Sequence, residues 1–175
     1  SPGGFHLGNN AADRNFRTAT GKARFMPHAL PEELVNAKVL ARGDKPDLIL
    51  QTLRSHDQYN TTLYGLDDRY RGVFGLREVV FVNEADIRRL GFEPGEQVDL
   101  VSLWEDGVER RVSGFRLVAY DVPEGQAAAY YPETNPLVPL ESYGEGTYTP
   151  TSKFVAIKVE KAKAGNRIAA VLASD

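Results

Sequence analysis

Residues 47–62 read Asp-Leu-Ile-Leu-Gln-Thr-Leu-Arg-Ser-His-Asp-Gln-Tyr-Asn-Thr-Thr. The first half, Leu48–Leu53, has the apolar content of a short buried strand. Nine of the ten positions after Leu53 carry a polar side chain or a phenol, and neither Gly nor Pro appears before Gly65. A plain surface turn needs only about two to four polar residues, usually with Gly or Pro. So many donors and acceptors at a strand end suggest a surface built to grip a large polar ligand. The alternative is an elaborated hydrophilic loop, loops being polar by default.

Further strand signals surround this one. Val79-Val-Phe-Val is a second β-rich run. Gln97-Val-Asp-Leu-Val-Ser-Leu-Trp alternates polar and apolar residues, as a half-buried strand does, and Asp106-Gly107 follows it as a hairpin signal. Arg110–Ser113, Phe115–Tyr120, Ala127–Tyr131 and Phe154–Val159 are further strand candidates, with Gly114 marking a bulge or bend. Asn83 to Gly91 reads as a helix capped by Asn83 and stopped by Gly91. A second short helix is expected to begin at Pro31, with acids in its first turn. Residues 1–24 read as an irregular arm, 25–160 as the folded domain, and 161–175 as a tail. Parallel βαβ folds need regular helices of about ten or more residues between strands, and this pattern lacks them. The fold class is therefore mainly β with short helices, a mixed barrel rather than a doubly wound sheet.

Bulk properties narrow the function classes. The chain has 175 residues, 42% hydrophobic and 26% charged, enough for one domain with a real core. A net charge of −3 and a pI near 5.7 give no basic footprint, so nucleic acid is not an expected partner. No apolar run approaches the ~18 residues of a membrane span. The opening Ser-Pro-Gly-Gly-Phe-His-Leu-Gly has neither the charged nor the apolar part of a signal peptide. A chain processed or cut from a larger protein is the expectation. With no cysteine, the chain holds no disulfide, thiolate zinc site, iron–sulfur cluster or cysteine nucleophile.

Self-contained chemistry is hard to assemble from the remaining residues. His6, His28 and His56 show no metal-ligand spacing. Ser55 beside His56 lacks a GxSxG elbow. Thr20-Gly21-Lys22 fails as a phosphate loop because Phe16 stands where the first glycine is needed. The acidic pair Asp67-Asp68, between Tyr64 and Arg69-Tyr70-Arg71, reads as a solvated salt-bridging turn.

Four blocks nevertheless carry a family resemblance. They are Leu50-Gln-Thr-Leu-Arg-Ser-His-Asp-Gln-Tyr-Asn-Thr-Thr; Val82-Asn-Glu-Ala-Asp-Ile-Arg-Arg-Leu-Gly-Phe-Glu-Pro-Gly-Glu-Gln-Val; Tyr130-Tyr-Pro-Glu-Thr-Asn-Pro-Leu; and Thr149-Pro-Thr-Ser-Lys-Phe-Val-Ala-Ile-Lys-Val. In this order they resemble the C-terminal cofactor-binding domain of the molybdopterin oxidoreductases, and within that group the bacterial formate-dehydrogenase-like alpha subunits. Phe16 to Phe25 resembles the passage leading into that domain. Glu84 stands where many members have Pro, and Pro136 sits inside the family's Asn-x-Leu loop.

The resemblance implies a six-stranded double-psi β-barrel, aspartate decarboxylase-like, that binds a molybdopterin guanine dinucleotide. Its molybdenum or tungsten would be held elsewhere in the full-length enzyme. It also implies that Thr52, Arg54, Ser55, His56, Gln58, Tyr59, Asn60, Thr61, Asn83, Asp86, Tyr131, Asn135 and Lys153 contact the cofactor, with no catalytic or metal-ligating residue in this chain. Arg54 suits a phosphate or a pterin carbonyl. Ser55, Gln58, Asn60 and Thr61 suit the fixed donors and acceptors of the heterocycles. Asp86 suits the paired donors of a guanine edge, and Asn83 combines that role with an N-cap. These residues are expected to line one shared face. The implied partners are the remaining domains of the same large subunit, in a cytoplasmic enzyme, with no redox turnover by this chain alone. Two other readings are a stand-alone double-psi barrel that binds a substrate or partner, and a self-processing decarboxylase. The latter needs a Gly-Ser dipeptide, and none occurs.

Overall fold

The computed structural model describes residues 2–30, 45–59 and 64–163. Two units separate, Ser1–Glu32 and Glu33–Asp175. The described part of the first contains turns and extended chain with neither helix nor strand. The helix expected from Pro31 and all but the start of the tail lie outside the described residues.

Among the described residues, the second unit contains six strands, one short α-helix and a 3-10 turn at Asn135–Leu137. The strands are β1 (Leu48–Leu53), β2 (Val79–Val82), β3 (Gln97–Ser102), β4 (Arg111–Ala119), β5 (Gln126–Tyr130) and β6 (Val155–Lys161), with α1 (Glu84–Arg89) between β2 and β3. They close into a barrel in the order β1-β5-β2-β4-β3-β6. Pairs β1–β5 and β2–β4 are parallel, whereas β1–β6, β2–β5, β3–β4 and β3–β6 are antiparallel. This is the six-stranded, mainly β barrel of the double-psi class that the sequence suggested. β1 and β6 are antiparallel neighbours in it.

Alternation explains most of the packing. In β1, Leu48, Leu50 and Thr52 point inward while their neighbours are more open. All four residues of β2 are buried, because it has apolar cover on both faces. Val80 and Val82 join the barrel interior with Leu50, Leu100, Leu117 and Ile157. Val79 and Phe81 face outward into a second cluster with Val73, Ala128 and Tyr130. Phe81 and Tyr130 meet edge-on with ring centroids 5.5 Å apart, a favoured aromatic geometry.

Asn83 caps α1, its Oδ1 accepting from the Ala85 N–H at 2.9 Å, and Gly91 follows the helix with φ of 80°. The two strand candidates around Gly114 are one continuous strand, β4. Gly114 has φ of 75°, and the β3–β4 register shifts between Val98 and Leu100. The buried Asp99 bridges that irregularity by accepting from the Gly114 N–H at 3.2 Å. The Asp106-Gly107 turn is present, with Asp106 Oδ1 accepting from the Val108 N–H at 3.1 Å. It sits within a longer connection, the strands pairing only up to Val101 and Arg111.

Candidate functional site

Strand register sorts the polar residues into two sets. β1 and β5 run parallel from Ile49↔Gln126 to Leu53↔Tyr130. Asp47 and Gly125 therefore mark one end of the pair, and Arg54 and Tyr131 the other. β2 runs antiparallel to β5, so Arg77 enters at the Tyr131 end and Asn83 leaves at the Gly125 end. Six residues of strand separate these ends by about 20 Å.

At the Tyr131 end, a buried arginine organises the polar loop. Arg77 is 2% exposed. Its Nε donates to Glu133 Oε1 at 2.7 Å, one terminal nitrogen donates to Ser55 Oγ at 2.9 Å, and the other donates to Gln58 Oε1 at 2.8 Å and the Tyr131 carbonyl at 2.9 Å. Gln58 Nε2 donates to the same carbonyl at 2.8 Å. The guanidinium lies 3.8 Å from the Tyr64 ring centroid and 4.7 Å from that of Tyr130. A planar fork with five donors is the one side chain that satisfies so many acceptors at once. It fastens the loop after β1 to the loop after β5, which begins with the cis Tyr131–Pro132 peptide.

Asp68 makes a second junction beside it. Its carboxylate accepts from Arg71 at 2.6 Å and from the Tyr130 hydroxyl at 2.9 Å, with His56 Nδ1 at 3.1 Å. Burial pushes the Asp68 carboxyl up, but the hydrogen bonds from Arg71, Tyr130 and His56 outweigh it and hold the group below its ordinary value. An Arg71 terminal nitrogen also lies 3.2 Å from the same His56 Nδ1. The Asp67-Asp68 turn is thus salt-bridging as expected, through Arg71, but only Asp67 of the pair is solvated. Asp67 accepts from the exposed Gly75 N–H at 2.8 Å, whereas Asp68 is 2% exposed.

Around these junctions, Thr52 and Ser55 are buried, Arg54, Tyr59 and Asn135 are exposed, and Lys153 donates to the Thr52 carbonyl. Hydrogen bonds join Ser55, Gln58 and Tyr131 through Arg77, and Lys153 to Thr52, while Arg54, His56, Tyr59 and Asn135 lie on the same two connections leaving β1 and β5. Asn60 and Thr61 lie outside the described residues.

Asn83 and Asp86 are elsewhere, at the Gly125 end, so the expectation of one face shared by all these residues is not met. Asn83 Nδ2 donates to the Val122 carbonyl at 2.8 Å. Asp86 is 3% exposed; one oxygen accepts from the Gly125 N–H at 2.6 Å and the other from Arg89 at 2.7 and 2.9 Å. Both side chains tie α1 to the segment entering β5. A groove of about 370 Å³ opens there, lined by Lys45, Asp47, Asp86, Arg89 and Glu124 among others.

Sequence reasoning missed Arg77, Glu133 and the role of Asp68. Arg77 follows Gly75-Leu76 just before an apolar strand, an unremarkable place for a solvated arginine. Its partners at positions 55, 58, 131 and 133 are far away in the chain. An arginine beside a strand with cover on both faces was the available signal.

The Tyr131 end offers exposed groups of the kinds that an anionic, heteroaromatic ligand needs. The exposed Arg54 offers a cation whose guanidinium has no recorded partner among the described residues, suited to phosphate. The exposed Asn135 and Tyr59 side chains offer amide and phenol contacts, and the fastened loops hold their backbones in place.

Comparison with known proteins identifies the family. Residues 48–168 match the model of the Molydopterin dinucleotide binding domain, a domain that binds the molybdopterin dinucleotide. An uncharacterized oxidoreductase of Mycobacterium bovis is 53% identical over 164 residues, covering 91% of this chain and 20% of the relative. Its counterpart in Mycobacterium tuberculosis gives the same figures. Protein YdeP of Escherichia coli is 39% identical over 161 residues, covering 91% of this chain and 21% of its own length. The chain thus spans about a fifth of the length of the curated relatives it matches. With the family model covering most of the chain and six strands closing into a barrel, the chain belongs to the molybdopterin dinucleotide-binding domain family.

Proposed function

We propose that this chain is the cofactor-holding C-terminal domain of a molybdenum- or tungsten-dependent bis-molybdopterin guanine dinucleotide oxidoreductase resembling formate dehydrogenase. In this reading, the face at the C-terminal ends of β1 and β5 holds part of the dinucleotide. When bound with its metal, that group supplies the redox centre, and the residues described here bind and orient it. Arg54 meets phosphate. His56, Tyr59 and Asn135 present polar edges, while Ser55, Gln58 and Tyr131 keep those loops in register through Arg77. The supporting observation is the Arg77 junction, which holds two distant loops together and leaves Arg54 and Asn135 exposed beside it. A preorganised site loses less on binding than one ordered by its ligand.

Asp86 is 3% exposed and already accepts from Gly125 and Arg89, so the proposal places the cofactor at the other end. The test uses the full-length polypeptide that carries this domain. Pterin and guanine nucleotide released per polypeptide should fall in Arg54→Ala and Asn135→Ala, with the unfolding midpoint unchanged. Full occupancy in both variants contradicts the assignment. A protein that carries no pterin at all favours a stand-alone binding module.

A further inference from the structure

The hairpin over residues 66–75 is pinned by hydrogen bonds and carries three exposed large apolar residues. Asp68 and Val73 exchange backbone hydrogen bonds at 2.7 and 3.1 Å, and the Gly75 N–H donates to Asp67 at 2.8 Å. Val73 enters the outer core cluster, and the Asp68 carboxylate is fixed by Arg71, Tyr130 and His56. On this frame Leu66 is 55%, Tyr70 60% and Phe74 61% exposed. Single exposed apolar residues are ordinary on a protein surface. Three large ones within nine residues, on a segment with few ways to rearrange and cover them, are not explained that way.

We infer that this hairpin is a docking surface for the remainder of the polypeptide that carries the domain. The inference rests on the function proposed above and names where the domain meets its neighbours. Two observations choose the occupant. Relatives that match 91% of this chain have four-fifths of their length outside the match. The hairpin also borders the proposed cofactor face, since the Tyr70 ring lies 4.3 Å from that of His56. Protein that encloses a ligand on that face reaches the hairpin next. Its aromatic residues, with Arg69 stacked 4.9 Å over Tyr70, have the composition of an interface centre.

Hydroxyl-radical footprinting of Tyr70 and Phe74 tests this. The full-length protein is compared, cofactor-loaded and from cells unable to make the cofactor, with the 175-residue chain. Both full-length preparations should be modified at least about five-fold less than the chain, because a packed interface excludes water. Protection confined to the loaded protein would mean that the ligand covers the hairpin, and overturns the inference while leaving the cofactor reading intact. Protection already present in the chain would mean that its arm or a second copy covers the hairpin, and also overturns it. Equal labelling everywhere, or a reading frame with nothing beyond these residues, does the same. Protection in a full-length protein that carries no pterin upholds the docking surface and removes the cofactor reading. As a second measure, Leu66→Ser with Phe74→Ser should leave the chain's urea midpoint in place but speed proteolytic release of the domain from the full-length protein. An unchanged release rate counts against the inference.

Discussion

Arg77 and Glu133 stand 56 positions apart and meet at 2.7 Å, with side chains 2% and 13% exposed. Burying such a pair is costly unless every remaining donor is satisfied. Here the other Arg77 nitrogens reach Ser55, Gln58 and the Tyr131 carbonyl. The arrangement spends the whole guanidinium on joining two loops. Removing it takes the cation from Glu133 and a donor from Ser55, Gln58 and the Tyr131 carbonyl, of which the last two keep one other donor each.

Arg77→Ala should therefore destabilise the chain by about 3–5 kcal/mol, the range for breaking a buried pair. Arg77→Lys keeps the charge but loses the fork, and should recover only part of that loss. Urea denaturation followed by circular dichroism measures both. A change within experimental error in Arg77→Ala would mean that the junction does not hold the loops.

Asp68 predicts a pH dependence. Burial opposes its ionisation, but Arg71, Tyr130 and His56 bring its carboxyl below the ordinary 3.8. A folded-state value below the unfolded one gives stability that is complete above about pH 4 and is lost as pH falls through the folded value. The stability difference between the native chain and Asp68→Asn should be constant near neutrality and shrink below about pH 4. Denaturation midpoints of both across that range check it, and a constant difference down to acid unfolding speaks against it.

Tyr130 behaves oppositely. Burial first, and the adjoining Asp68 carboxylate second, push its hydroxyl well above the ordinary 10. A raised folded value gives stability present below about pH 10 and lost above it, as the unfolded phenol ionises. In a spectrophotometric titration, Tyr130 should ionise only with unfolding. Tyr130→Phe should remove that last step and nothing earlier.

Much of the fold could be read directly. Local signals, such as the alternation in 97–104, the Asn83 cap and the Gly114 kink, depend on neighbours in sequence, and each has its counterpart in the barrel. The polar loop after β1 was also visible as composition. What could not be read was long-range pairing. Asp86 looks like a free acceptor until Gly125 and Arg89 are seen to occupy it. Asp67 and Asp68 look equivalent, and only the fold buries one of them. Strand direction decides which end of the barrel a residue occupies, and the parallel register of β1 and β5 is not written in either strand alone.

Asp86→Ala tests the division between the two ends. Losing hydrogen bonds to a charged group should cost about 1.5–3 kcal/mol of stability. Cofactor content per folded full-length molecule should stay the same, because the proposed face is about 20 Å away along the strands. Reduced cofactor content in a variant of unaltered stability would instead assign Asp86 to the ligand.

The most direct measurement is a structure of the cofactor-loaded full-length polypeptide. The account predicts dinucleotide atoms within hydrogen-bonding distance of Arg54, Asn135 and the 54–59 loop, with Arg77 still bound to Glu133, Ser55 and Gln58. A dinucleotide seated instead in the groove beside Asp86, Arg89 and Gly125, with the Arg77 face covered by protein alone, would contradict it.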